Sequence, residues 1–328
     1  MRNAVVDRQL NFLVSANVLV LIAALAIAGP SFVNVYNLQS MAVQIPELGL
    51  LGIGVALAMI AGNGGIDLSG IAVANLSGIV AALSVPLWVS PDDAPLMFAF
   101  VFGGVCLCVG VVCGLINGLL ISRASLTPII ATLGTSMAFS GISVVISNGS
   151  GIRLGYIEPL DDFGHMAVLG VPICFALFIA IAAFIGAALR FTPFGVRLYL
   201  LGSNAKAARY AGFSQRGLLL VTYTISGILA SIAGVVIAAR ISSVKWDYGT
   251  SYVLIAILIV VMAGVRPSGG YGRIVCVVLS ATALQMLSSM FNFLDISNFF
   301  RDFAWGLLLL VFLQVSRIDL RSWLVRKP

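Results

Sequence analysis

Asp67 lies in a glycine-broken stretch, Ala61-Gly62-Asn63-Gly64-Gly65-Ile66-Asp67-Leu68-Ser69-Gly70, between two long apolar runs. A carboxylate in the middle of a membrane helix costs about 2.5–3.5 kcal/mol on insertion scales. Non-helical backbone at that depth is tolerated only where it is buried in protein or lines a cavity. Two readings follow. The stretch is either a broken helix beside a hydrophilic path, with Asn63, Asp67 and Ser69 as gate residues, or a turn on the inner face with a capping Asp. In both, Ser69 can cap the helix that follows. Other polar residues sit inside apolar runs, namely Asn75, Asn117, Thr132, Thr135, Ser136 and Gln285. Each can line the same path or simply bond to a neighbouring helix. Glu47 directly follows Pro46 near the outer end of the second apolar run, and is expected to snorkel to the interface.

Bond-making chemistry has no comparable foothold. His165 is the only histidine and stands in an acidic loop. No His, Asp and Glu cluster or nucleophile–base pair is spaced for catalysis, so no catalytic residue is assigned. The five cysteines all fall in apolar runs and read as small buried hydrophobes. Cys106-Leu107-Cys108 has no partners at metal spacing, and no metal site or cofactor is expected. The chain also lacks the phosphate-cradling G-x-x-x-x-G-K-[ST] loop.

The elements that must position these residues are membrane helices. The chain is 60% hydrophobic with a mean hydropathy of +1.10, far above soluble domains. Its apolar runs are too long and continuous for barrel strands. The fold class is therefore all-α, a polytopic membrane protein in one transmembrane domain over 1–328. About ten segments are expected, some broken or re-entrant: 12–29, 45–62, 69–90, 96–122, 127–147, 169–189, 217–239, 251–265, 273–292 and 300–316. With both termini cytoplasmic, only Arg153, Arg240, Lys245 and Arg301 remain outside, while most acidic residues face outward. That is the positive-inside bias, and it removes any need to read the net charge of +6 as nucleic-acid binding. The N-terminus resembles a signal peptide with a cleavage-like Ala26-Ile27-Ala28, but the length of its apolar run favours an uncleaved first span. Gly110, Gly114 and Gly118 fall on one helix face and predict a close helix contact. The outward loop 148–168 reads either as a docking surface for an external partner or as a connector.

The stretch 190–216 is different. It carries Arg190, Arg197, Lys206, Arg209 and Arg216 and no acidic residue, in a chain that is only 9% charged. Ser203 or Asn204 can cap a short helix through Tyr210, which Gly212 closes in a left-handed turn. Two turns of helix are marginal alone, and small apolar residues surround the basic pair Lys206 and Arg209. The helix therefore reads as one that lies in a groove of another protein, or as a solvated loop whose charges set topology. A second glycine-rich break, Ala263 to Gly272, joins two later apolar segments on the same predicted face and hints at an internal repeat.

Several of these stretches together resemble the permease subunit of ribose-type ABC sugar importers, the second carbohydrate-uptake class, in the branched-chain amino acid/ribose permease superfamily. Gly64-Gly65-Ile66-Asp67-Leu68-Ser69 is similar to the family's G-G-I-D-L-S, and Gly114-Leu115-Ile116-Asn117-Gly118 to its G-x-x-N-G. Thr127-Pro128 with Ile130 to Thr135 resembles P-x-I-A-T-L-G-T. Phe194-Gly195, Gly202-Ser203-Asn204, Ala207-Ala208-Arg209 and Gly212 resemble its inner loop, and Ser268 to Gly272 its S-G-G-x-G. Gly70-Ile71-Ala72 and Ala263 to Pro267 depart from the family pattern. The resemblance implies a bacterial inner-membrane subunit without its own ATPase. Two permease chains, identical or related, would form the pore. ATP-binding subunits would sit on the cytoplasmic face, and a periplasmic or extracellular binding protein would deliver a sugar. Gly202, Ser203, Asn204, Ala207, Ala208, Arg209 and Gly212 would then couple the permease to ATP, which the partner subunit binds. The alternative is an ion-coupled secondary transporter of a small polar solute. It needs ionisable groups in the membrane core, and only Asp67 and Glu47 offer them.

Overall fold

The computed structural model describes residues 2–317; Arg321, Arg326 and Lys327, expected on the cytoplasmic side, lie outside the described residues. The helices in order are α1 (Arg2–Ala28), α2 (Val35–Ile60), α3 (Gly70–Ser84), α4 (Pro95–Ser122), α5 (Pro128–Ser147), α6 (Glu158–His165), α7 (Ile173–Phe191), α8 (Pro193–Ser203), α9 (Ala205–Tyr210), α10 (Gln215–Ile241), α11 (Tyr252–Met262), α12 (Ile274–Phe293) and α13 (Asn298–Arg317). Every expected segment coincides with a helix. Among the described residues, eight helices are long and apolar enough to cross a membrane. α13 is not one of them, and neither is the 11-residue α11. At 1.5 Å per residue it reaches about 16 Å, roughly half a bilayer core.

α2 and α10 form the centre. Every residue of α2 from Ile45 through Ile60 is buried, as expected for a helix apolar on all sides. α2 starts at Val35, well before the expected 45, because Asn34 caps it through the Tyr36 amide at 3.2 Å. Asn37, Gln39, Ser40 and Gln44 give its first turns a polar look that hides the helix in the sequence. The α4 glycines behave as read. Gly110 meets Gly227 and Ser231 of α10, Gly114 meets Tyr223 and Thr224, and Gly118 meets Leu220. Phe100, Met137 and Phe184, on α4, α5 and α7, project outward on the apolar exterior.

The 148–168 loop is folded rather than a bare connector. β1 (Ile152–Arg153) pairs antiparallel with β4 (Ser243–Val244), and β2 (Ala167–Val168) with β3 (Val171–Pro172). α6 lies between these ladders and presses Gly164 against the Ala239 carbonyl at the end of α10. His165 stays on the exposed surface, 3.2 Å from the Asp161 carboxylate.

Candidate functional site

The first break folds because its residues accept left-handed backbone. Gly62, Asn63 and Gly64 have φ of 82°, 57° and 67°. The turn carries the chain away from α2 and buries Asp67, which is 4% exposed. One carboxylate oxygen accepts bonds from the Ser69 amide at 3.0 Å and the Ser69 hydroxyl at 2.7 Å. The other accepts from the Ser226 hydroxyl of α10 at 2.6 Å. Asn117 of α4 donates its amide to Ser69 Oγ at 2.8 Å, and Thr135 of α5 donates to Asn117 Oδ1 at 2.6 Å. One turn earlier on α5, Thr132 Oγ1 accepts the Leu68 amide at 3.2 Å and lies 3.0 Å from the Ile66 carbonyl. Five sequence candidates, Asp67, Ser69, Asn117, Thr132 and Thr135, thus meet in one buried chain of hydrogen bonds. It ties the break to α3, α4, α5 and α10.

Ser69 does sit at the start of α3, but its hydroxyl turns back to Asp67 instead of capping the helix. Two candidates lie elsewhere. Asn63 is exposed in the turn. Asn75 donates to the Trp246 and Tyr248 carbonyls at 3.1 and 2.9 Å, pinning the loop before α11. Ser226 was missed. Nothing in the sequence separates it from Thr222, Thr224 and Ser231, which bond back to carbonyls of their own helix. Its space comes from Gly54 of α2, where any side chain would strike the Ser226 hydroxyl.

Replacing Asp67 by alanine strands two buried hydroxyls, at about 1–3 kcal/mol for each unsatisfied group. Asp67→Ala is therefore expected to cut solute uptake by about tenfold or more, whereas Asp93→Ala, on an exposed loop, should leave it near native. Uptake assays at matched membrane levels check this, and equal effects would reduce Asp67 to a local cap.

The reading of Glu47 is corrected by the structure. It is fully buried in mid-helix, not at the interface, and pairs with Arg240 Nε. Tyr248 and Tyr252 each donate a hydroxyl to its other oxygen at 3.2 Å. The earlier start of α2 explains the difference, since Glu47 lies well inside that helix and faces α10. Burial and then the Glu47 charge push the Tyr248 hydroxyl up to about 12, so it remains a donor at neutral pH.

On the opposite end of α2 lies the basic stretch. Asn204, not Ser203, caps α9, accepting the Ala207 amide at 3.0 Å. Gly212 closes it at φ 78°. Ser203 ends the preceding α8, a helix the sequence reading did not foresee. Of α9 only Ala208 is buried, at 4% exposure. Lys206, Ala207 and Arg209 face outward, and Tyr210 is 91% exposed. Arg197 holds the exit, its guanidinium 5.7 Å from the Phe213 ring centre.

What seats α9 is glycine. A side chain at Gly202 would collide with the Ile60 carbonyl and the Gly270 amide, and one at Gly269 with Gly62. Gly270 also donates its amide to the Ile60 carbonyl at 3.0 Å. Tyr199 of α8 donates its hydroxyl to the Gly272 carbonyl at 2.7 Å. The end of α8 therefore rests, backbone on backbone, on both glycine-rich breaks. Gly62, which touches Gly202 of α8, stands five residues before Asp67 in the chain.

Among the described residues no group of three or more His, Cys, Asp or Glu gathers to hold a metal. The family described as branched-chain amino acid transport system / permease component matches residues 37–313. The chain is 32% identical over 299 residues to the ribose import permease protein of Bacillus subtilis strain 168, covering 91% of this chain and 90% of that one. It is 32% identical over 290 residues to the D-allose transport system permease protein of Escherichia coli K12, covering 88% and 85%. With the autoinducer 2 import system permease protein of Photorhabdus luminescens it shares 28% identity over 294 residues, covering 84% and 83%. No solved structure matches significantly. A helical membrane domain with a surface helix seated on two broken segments, matched over most of its length, belongs to the branched-chain amino acid transport system / permease component family.

Proposed function

We propose that this chain is the transmembrane permease subunit of an ATP-driven importer of a sugar or sugar-like solute, in the bacterial cytoplasmic membrane with both termini inside. Separate ATP-binding subunits drive it, a periplasmic or extracellular binding protein loads it, and a second permease chain completes the pore. The chain holds no cofactor of its own. The observation that carries this reading is α9. It is short, basic and exposed on every side chain but Ala208, and it follows directly on the end of α8, which rests on both breaks. A helix so placed offers a grip to a soluble partner and a short route to Asp67. The names of the relatives, ribose, D-allose and autoinducer 2 permeases, support a sugar-like cargo.

Gly202, Ser203 and Asn204 connect α8 to α9, Ala208 anchors it, and Ala207, Arg209 and Tyr210 form the outward face. Gly212 returns the chain to α10. The Asp67 network serves as the gate. Both carboxylate oxygens already accept bonds from this chain's own donors, an arrangement suited to holding helices together and not to carrying an ion. The test uses the chain in its native membranes. Arg209→Glu reverses the outward charge, and Gly212→Pro forbids the left-handed turn. Both variants should stay in the membrane, lose co-purifying ATP-binding subunit, and lower uptake by about tenfold or more. Normal uptake in both defeats the coupling role of α9. Uptake that survives ATP depletion makes the chain an ion-coupled carrier instead.

A further inference from the structure

A cavity of about 390 Å³ opens between α2, the loop before α11, α12 and α13, at the ends of these helices remote from the glycine junction. That volume falls at the lower end of the roughly 300–1,000 Å³ typical of small-molecule pockets. Its wall carries Gln285, a side chain 3% exposed with no hydrogen-bond partner among the described residues. Tyr223, Asp247 and Ser280 hold the buried polar atoms without a partner among the described residues, whereas the Gln285 amide opens on the cavity. It offers two donors and an acceptor, the complement of adjacent hydroxyl groups on one solute.

The rest of the wall fits the same ligand. Trp305, 6% exposed and packed on Phe291 with ring centres 5.7 Å apart, presents a fixed aromatic surface. Tyr248 and Tyr252 supply two more rings, held by their bonds to Glu47. Such plates suit the C–H faces of a sugar ring. Arg301 and Asp302 stand together on the wall, so the side chains lining the cavity carry no net charge to select an ion. Arg301 is moreover occupied, donating Nε and Nη2 to the Ile296 carbonyl at 3.2 and 3.1 Å.

Tyr252 also lines a second void, about 10 Å³, beside Asp67 and Ser226. Tyr252 is thus common to the walls of the open cavity and of the void beside the buried carboxylate. From this arrangement we infer that the cavity is the permease's own binding site for one neutral monosaccharide-sized polyol, with Gln285 as its hydrogen-bonding anchor and Tyr252 as its floor. The inference rests on the sugar-importer reading and adds to it a place where the solute pauses within this chain.

The test is uptake by right-side-out membrane vesicles loaded with ATP and carrying the whole importer, with D-ribose and D-allose as probes and ATP hydrolysis measured in parallel. The native chain comes first, and failure to move either sugar with ATP overturns the importer reading and the cavity with it. Gln285→Leu removes the anchor, and Ser288→Trp, on a half-buried wall position, fills the space. Either variant, present at native membrane level, should lower sugar uptake about tenfold or more while ATP hydrolysis stays within about twofold. Native uptake in both variants overturns the cavity and leaves the importer standing. Loss of ATP hydrolysis together with uptake assigns Gln285 and Ser288 to packing alone, and likewise overturns it.

Discussion

Gly202→Val should leave the chain in the membrane and abolish ATP-driven uptake. The substitution puts a branched side chain where the Ile60 carbonyl and the Gly270 amide already touch the glycine backbone. Neither obstacle is a flexible side chain that can swing away. Overpacking of this kind costs typically about 1–3 kcal/mol when neighbours can shift. Here the neighbours are two chain breaks that also hold each other through the Gly270–Ile60 bond. The end of α8 must therefore lift off, and α9 with it. Helix burial in the rest of the domain is untouched, so insertion survives while the mechanical link is cut. Uptake and membrane level measured together check this. Native uptake in Gly202→Val would show that the junction is packing without a role in coupling. Gly212→Ala provides a milder comparison, since a left-handed non-glycine residue costs roughly 1–2 kcal/mol and displaces nothing.

The second large effect concerns stability. Glu47→Ala should destabilise the domain by about 3–5 kcal/mol, the cost of leaving one partner of a buried ion pair uncompensated. Arg240, whose side chain is 22% exposed, would be left without its carboxylate, and the Tyr248 and Tyr252 hydroxyls would lose their acceptor. The double variant Glu47→Ala with Arg240→Leu removes both charges and should recover much of the loss, because buried pairs are often replaceable by apolar groups. Thermal denaturation in detergent of the two single variants and the double variant isolates the coupling. A single Glu47→Ala variant as stable as the native chain would mean that solvent reaches Arg240 freely.

How legible these features were depends on what each residue signals alone. Asp67, Ser69, Asn117, Thr132 and Thr135 stood out because polar groups inside apolar runs are expensive, and the structure gathers all five. α9 was readable because Asn204 and Gly212 mark its ends by local chemistry. α8 was not, because Pro193 and Gly195 look like punctuation; Pro193 instead occupies the first helical turn, where its missing N–H is harmless. Which alanine of α9 faces inward could not be read from three similar residues, Ala205, Ala207 and Ala208. Glu47 was misplaced for want of a helix start, since the turns before it are polar on the sequence and helical in space. Ser226 and Gly202 depend on tertiary contacts with segments far along the chain, and no local pattern encodes those.

The single buried contact of α9 has a practical meaning for engineering. Ala208 contributes one methyl group to the interior, while Lys206, Arg209 and Tyr210 touch nothing in this chain that fixes their identity. The segment is thus divided into a sterically constrained root, made of Gly202 at the end of α8, the Asn204 cap and Ala208, and an exposed crown. On the coupling role proposed above for α9, partner choice could be rewritten by grafting another chain's crown while the Asp67 network stays in place. The glycines have no such freedom. At Gly62, Gly202 and Gly269 a Cβ would strike main-chain atoms of the facing segment, so no side-chain change elsewhere makes room for one.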